Sequence, residues 1–374
     1  MGRIVLVTLL IILVIFLFVA LFLRQKRVTQ DLELRYVKVF QFNSNFTNLD
    51  KTDEPTSPFS DIIQMNNYQI SKEFSNANLI LFSDFSFIDQ NISNVQFKRN
   101  VPYFIYGLKG SDEMANKASL AKYFRENGHY AYIPQSFVLD NNLDLEQLIS
   151  EHKSDSLYMI KKNIQRQEGN MITNDIDFIV NKAVQENYVV CQELLQNPYL
   201  VNGRKINMRV YLLIVIKDKQ PNFYIYNDGF MYYTPKFFEK GSIERDVNIT
   251  TGYIDRKVYE ENPLTHKDFD EFLGESQSQL LRTNMKTMFK ALKHAYSNVL
   301  ARENKKLPGI KFNVYGVDIA PDEKLNITLI EVNKGPSIEK HDARDGELKF
   351  NMIQDCFTLV GLSKLGNPRN YIEI

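Results

Sequence analysis

Asp318, Glu331 and Asn333 are the residues of this chain whose types and spacing best suit chemistry. Asp318 ends the run VYGVD, and the apolar run ITLIEVN carries Glu331 and Asn333 two positions apart. In an extended strand the period of two turns Glu331 and Asn333 to one face and Val332 to the other. Two carboxylates and a neutral amide oxygen can hold a hard cation such as Mg2+ while leaving coordination positions for nucleotide phosphates. Charges inside apolar runs call for such a reason, because burying an uncompensated carboxylate is costly. A tight hairpin turning at 321–324 would not set Asp318 directly opposite Glu331, so spacing alone leaves open whether they meet.

The cations are patterned too. Lys205, Asn207 and Arg209 alternate with Ile206, Met208 and Val210 in KINMRV, giving one polar, cationic face and one apolar face. That face suits either open solvent or a cleft wall where Lys and Arg neutralise a phosphate. Lys161 ends YMIK, where a lysine can act as a point charge on a phosphate oxygen or snorkel to the surface. The turn after it holds Arg166 and the single Gly169, a weak basis for backbone cradling of phosphate. Cys191 and Cys356 are the only cysteines, too few for a disulfide framework or a thiolate metal site. The five histidines, at 129, 152, 266, 294 and 341, lack metal-ligand spacing, which argues against zinc.

These residues need a scaffold, and 374 residues with 44% hydrophobic content suffice for more than one lobe. Forty-five basic and 45 acidic residues balance, so the whole chain shows no footprint of a nucleic-acid binder. Strands are expected at DLELRYVKVFQF, NANLILFSD and YFIYG, and NKASLAKYFRENGHY reads as a helix stopped by Gly128. SLYMIKK and MIT form a hairpin and DIDFIVNKAVQ a helix, together a small lobe, and YVVCQELL is a strand leading to a loop with Pro198 and Gly203. KINMRVYLLIVI and NFYIYND follow as strands, then a long helix over 272–306 with Leu280, Met285, Met288, Leu292 and Tyr296 as its apolar stripe. KFNVYGVDIAPDEKLNITLIEVN closes the scaffold as two strands around a polar turn. No internal repeat or low-complexity tract is present.

The start of the chain differs. Residues 4–23 are an unbroken uncharged run of roughly 20 residues, the length of a membrane-spanning helix. Arg24, Lys26 and Arg27 follow it, which predicts a single-pass membrane protein whose catalytic domain faces the cytosol. Sequons at Asn45, Asn91, Asn248 and Asn326 support the rival reading of a luminal glycoprotein.

After residue 27 the chain resembles the tubulin-tyrosine ligase family of ATP-grasp enzymes. The resemblance rests on NKASLAKYF with YIPQSFVLD, YMIKK, CQELLQNPYLVNGRKINMRVYLLIV, YGVDIAPDEKLNITLIEVNKGPSI and ELKFNMIQDCFTLVGL, which occur in the family's order. It implies an α+β, ATP-grasp fold in which two lobes clamp ATP and Mg2+. The segments would be an anchor and basic flank at 1–27, an N-terminal αβ domain at 28–150, a small lobe at 151–190 and a large, metal-bearing lobe at 191–374. It also implies ligation through an acyl phosphate, joining a free amino acid to a protein or peptide carboxylate. By the resemblance Lys161 and Lys205 hold ATP phosphates, and Gln192, Glu193, Leu194 and Leu195 form the adenine-binding linker. Lys117 reaches in from the N-terminal side, Asp318, Glu331 and Asn333 ligate Mg2+, and Arg209 stabilises the transferring phosphoryl group.

The departures fall on the acceptor side. Asn207 replaces the aspartate of the family's K-x-D-x-R, Tyr232 stands where a second arginine follows the DG turn, and Asn248 and Thr251 replace parts of H-L-T-N. Losing a cation there makes the acidic tail of tubulin a poorer acceptor. A degenerate binding module that keeps ATP without ligation is the alternative.

Overall fold

The computed structural model describes residues 38–42, 58–71, 77–82, 97, 103–164, 169–218 and 220–374. Residues 4–23, expected to span a membrane, lie outside these, as do Asn45, Asn91 and Arg166. Among the described residues no helix is long and apolar enough to cross a membrane. The expected single-pass placement with a cytosol-facing catalytic domain is corrected on that ground.

Two sheets organise the described residues. The smaller contains β5 (Ser136–Val138), β6 (Tyr158–Lys162), β7 (Asn170–Thr173) and β8 (Tyr188–Glu193), in the order β5-β8-β6-β7. Preceding it in the chain are β1 (Lys38–Phe42), β2 (Gln69–Ile70), β3 (Leu79–Phe82) and β4 (Phe104–Tyr106). Following it are β9 (Leu200–Val201), β10 (Arg204–Ile216), β11 (Pro221–Tyr233), β12 (Ile310–Pro321), β13 (Ile327–Asn333) and β14 (Tyr371–Glu373). These ten strands pair as one sheet, β14-β11-β10-β12-β4-β3-β1-β2, with β13 added to β12 and β9 to β10. β12 gives one edge to β10 and divides the other, taking β4 in parallel at Ile310, Lys311 and Phe312 and β13 antiparallel from Gly316 onward. The fold is mixed α+β.

β10 explains the layering. Its second half, YLLIVI, is buried at every position, as expected for a strand covered on both faces. Ile206, Met208, Val210, Leu212 and Ile214 share a core with Met285, Phe289, Leu292 and Tyr296 of the long helix Glu275–Asn304. Tyr211, Leu213 and Val215 pack instead with Met352, Ile353 and Phe357 of the C-terminal helix Ala343–Val360. By alternation Lys205, Asn207 and Arg209 prolong this second face.

The long helix corrects the sequence reading at its start. Gly274, at φ 75, separates it from the helix His266–Leu273, so it begins at Glu275. Leu281 is fully buried, whereas Leu280 is 47% exposed. Steps of three or four from Met285 reach 281 and not 280, and full burial of a leucine contributes about 1.5–3 kcal/mol, so packing sets the helix's rotation.

His266 is fully buried, and a Cβ at Gly229 would come within 2.5 Å of its Cε1. Burial, reinforced by the Arg282 charge, holds the imidazole pKa well below its ordinary value. The unfolded chain therefore takes up this proton as pH falls through about 6.5, while the fold does not, so stability is lost on acidification. Urea midpoints at pH 7.5 and 5.5 should fall less with acid in His266→Gln than in the natural chain. Equal losses would refute this assignment.

Candidate active site

β12 and β13 bring the carboxylates together through a bulge. Pro321 to Ile319 pair in sequence with Ile327 to Leu329, and the register then shifts so that Asp318 faces Glu331, Val317 faces Val332 and Gly316 faces Asn333. Continuing the first register without this shift would set Ile330 opposite Asp318. The extra residue changes the phase of the strand. Ile327, Leu329 and Val332 all join the core against the long helix, which leaves Glu331 and Asn333 on the other face. Asn333 donates its Nδ2–H to Glu331 Oε1 at 3.2 Å.

Arg209 lies opposite Asp318 across the β10–β12 ladder and donates in a fork, Nε to Oδ1 at 2.5 Å and Nη2 to Oδ2 at 3.0 Å. Gly316 makes room for that reach, since a Cβ there would be 3.1 Å from both Cδ and Nη1 of Arg209. Burial, helped by the Glu331 carboxylate, outweighs the arginine and pushes the Asp318 carboxyl up to about 6. Glu331 goes the other way. Burial would raise it, but Lys161, Lys117 and the Asn333 amide hold it below the usual carboxylate range. Among the described residues no three His, Cys, Asp or Glu side chains cluster to hold a metal. Asp318, Glu331 and Asn333 therefore offer two carboxylates and an amide.

Lys161 and Lys117, from separate segments, lie beside this pair, and Lys205 lies beside Lys161. Lys161 on β6 is opposite Val190, and Met159 is opposite Gln192, so all four share the face of the small sheet turned from its own core of Phe137, Ile160 and Cys191. Lys161 and Lys205 are each 5% exposed. Burial lowers both to about 8, assisted by Lys117 for Lys161 and by Lys161 for Lys205. Lys205 donates to the Leu195 carbonyl at 3.4 Å. Lys117 opens the helix Lys117–Glu126, whose N-cap Asn116 accepts from the Ser119 amide at 3.0 Å. Its Nζ donates to the Ile164 carbonyl at 2.9 Å, and burial lowers its pKa against the pull of Glu331.

The linker residues divide by alternation. Gln192 is buried and donates Nε2–H to Ser136 Oγ at 2.9 Å, but its Oε1 has no partner. Glu193 is exposed, Leu194 is buried, and their amides donate to Gln135 and Leu157 carbonyls at 2.9 and 2.8 Å. Thus Lys117, Lys161, Arg209, Asp318, Glu331 and Asn333 converge, Lys205 neighbours Lys161, Gln192 shares the face of Lys161, and Glu193 turns outward.

On the acceptor side Asn207 and Tyr232 are direct cross-strand partners. The Arg209 guanidinium sits 5.1 Å from the Tyr232 ring centroid, and burial pushes the Tyr232 hydroxyl up to about 12. Asn248 and Thr251 have structural partners. Asn248 is 3% exposed and donates to the Ser242 and Glu244 carbonyls at 2.7 and 3.0 Å, while the Thr251 amide donates to the Tyr233 carbonyl at 3.0 Å. The amide hydrogens of Asn248 are thus committed, which speaks against an occupied sequon there. Sequence reasoning missed Lys349, which is 3% exposed, donates to Asp345 Oδ2 at 2.9 Å and lies over the Phe230 ring. Its signal was an acid and a base four apart on a helix face otherwise turned inward.

A mixed α+β protein with a largely buried cluster of opposite charges on its large sheet is the class these features define. A family profile described as the tubulin-tyrosine ligase family matches residues 62–367. The chain belongs to that family. It is 28% identical over 209 residues to "Probable tubulin polyglutamylase TTLL9" of Bos taurus, covering 54% of this chain and 44% of that protein. It is 25% identical over 272 residues to "Probable alpha-tubulin polyglutamylase Ttll1" of Tetrahymena thermophila, covering 63% and 62%. With "Tubulin polyglutamylase TTLL7" of Mus musculus it shares 22% over 329 residues, covering 80% of this chain and 35% of that protein. The chain thus spans less than half the length of the bovine and mouse relatives.

Proposed function

We propose that this chain is an ATP-dependent carboxylate-amine ligase with an ATP-grasp architecture, joining an amino acid to a protein or peptide. The observation that carries the reading is the meeting of buried Lys161 and half-buried Lys117 with Glu331, beside Asp318 and Asn333, with buried Lys205 next to Lys161. Lys161 and Lys205, lowered to about 8 mainly by burial, and Lys117, also lowered by burial, form a cradle that a polyphosphate anion would relieve. The donor set suits Mg2+, and the unpartnered, buried Gln192 Oε1 suits an amino group such as that of adenine. In this reading 151–190 and 191–374 are the two clamping lobes, and 28–150 supplies Lys117.

Lys117, Lys161 and Lys205 would hold phosphates, and Asp318, Glu331 and Asn333 the metal. ATP would supply the γ-phosphoryl group that activates a carboxylate as an acyl phosphate, releasing ADP, an amine would then displace phosphate to form the amide, and Mg2+ would neutralise the phosphate charge. Arg209, held by Asp318, would stabilise the negative charge that develops there. The relatives' names make tubulin one candidate acceptor, although Asn207 and Tyr232 leave the acceptor side without the cation an acidic tail would favour. The same two residues favour the second reading, a module that binds nucleotide without ligation.

The test is the thermal midpoint of the chain with and without Mg2+ and a non-hydrolysable ATP analogue. A hundredfold excess over Kd should stabilise by about 2.7 kcal/mol, and Glu331→Gln should remove the metal-dependent part. The shift should fade as pH drops through about 6, where Asp318 takes a proton. An unchanged midpoint would refute nucleotide binding. A shift without turnover on any amino acid and peptide acceptor would favour the binding module.

A further inference from the structure

Lys334 places a charge where burial makes charge costly. It directly follows Asn333, is 6% exposed, and forms an ion pair with Asp112 of the short helix Ser111–Ala115. An ammonium so buried needs a fixed partner. Its backbone is fixed too, because the Lys334 carbonyl accepts from Nδ2 of the fully buried Asn313 on β12 at 3.0 Å. The helix that carries Asp112 packs on β13 itself.

Asp112 leads in turn to Lys117. The Asp112 backbone carbonyl accepts from the Asn116 amide at 2.8 Å, and Asn116 is both the C-cap of the short helix and the N-cap of Lys117–Glu126. Lys117 opens that second helix. A bonded path therefore runs through Asn333, Lys334, Asp112, Asn116 and Lys117, and both of its ends bear on one carboxylate. Asn333 donates to Glu331 Oε1 at 3.2 Å, and the Lys117 charge favours ionised Glu331.

We propose that Lys334 and Asp112 are a positioning pair, which sets the helix bearing Lys117 against the strand end bearing Asn333 so that both close on Glu331 together. The proposal rests on the nucleotide-binding reading of this site. Neither residue touches nucleotide or metal in this role. A pair that merely held the fold could be replaced by uncharged groups with no loss at the site, whereas a positioning pair could not.

The experiment compares the full natural chain, Asp112→Asn, and Asp112→Asn combined with Lys334→Met. For each it measures the Kd of the non-hydrolysable ATP analogue with Mg2+ by titration calorimetry, and the urea midpoint. Asp112→Asn should lower the midpoint and weaken analogue binding by about tenfold, the scale on which ligands respond to loss of the groups behind them. In the double variant the midpoint should recover, because the buried ammonium has gone with its carboxylate, while the tenfold loss of affinity persists. Natural affinity in Asp112→Asn or in the double variant overturns the proposal. So does a double variant less stable than Asp112→Asn, which would make the pair a determinant of the fold alone. A natural chain that does not bind the analogue sinks the nucleotide reading and this inference with it, whereas binding that neither variant weakens sinks only the inference.

Discussion

Arg209→Ala should lower turnover by about two to three orders of magnitude and destabilise the fold by about 3–5 kcal/mol at pH 7.5. Both effects have one origin, since Asp318 is buried beside Glu331 and loses the forked donor that holds it. The pH dependence separates this from a simple loss of packing. Asp318 already sits at about 6, above its unfolded value, and removing the arginine raises it further. A carboxyl raised in the fold binds its proton more readily there than in the unfolded chain, so the variant's deficit should shrink as pH falls through that raised pKa. Urea midpoints at pH 7.5 and 5.5 for both proteins measure this. A variant as stable as the natural chain at pH 7.5, or a deficit that grows with acid, would contradict the ion-pair account.

Gly229→Ala should rank among the most damaging single-methyl changes on the large sheet. Gly229 pairs with Val210 beside the irregularity in the β10–β11 ladder, and its missing Cβ would lie 2.2 Å from the Arg209 carbonyl oxygen. The obstacle is backbone, so a rotamer change cannot clear it, and the strands must part where Arg209 is mounted. Overpacking of this kind costs about 1–3 kcal/mol or more. His266→Ala added to the variant should restore only part of the loss, because it removes the ring contact and leaves the carbonyl clash. An unchanged urea midpoint for Gly229→Ala would show that the close approach is not structural.

The strands and the cation and carboxylate sets were legible because their signals are local. Alternation in KINMRV, the acidic end of ITLIEVN and the lysine of YMIKK are properties of five to seven consecutive residues. What was not legible depends on register between distant strands. The shift at Ile330 that sets Glu331 opposite Asp318 is invisible to spacing, which favours the regular hairpin. Asn207 and Tyr232 read as two unrelated departures until β10 and β11 are paired. Leu280 and Leu281 are indistinguishable by type, and packing chose between them. Lys349 and Asp345 were passed over because helix periodicity does not say what covers a face.

β12 also governs the order in which the molecule can assemble. Its hairpin with β13 closes a short loop, and β10 with β11 another, so both can form early at little entropic cost. The edge it gives to β4 is different, because Phe104 must find Ile310 across most of the intervening chain. Such pairings slow folding. Until the long-range pairings of β12 close, the Asp318–Glu331 pair exists on its own hairpin without Arg209, Lys117 or Lys161 beside it. The buried charge cluster should therefore be among the last parts of the fold to gain protection from hydrogen exchange.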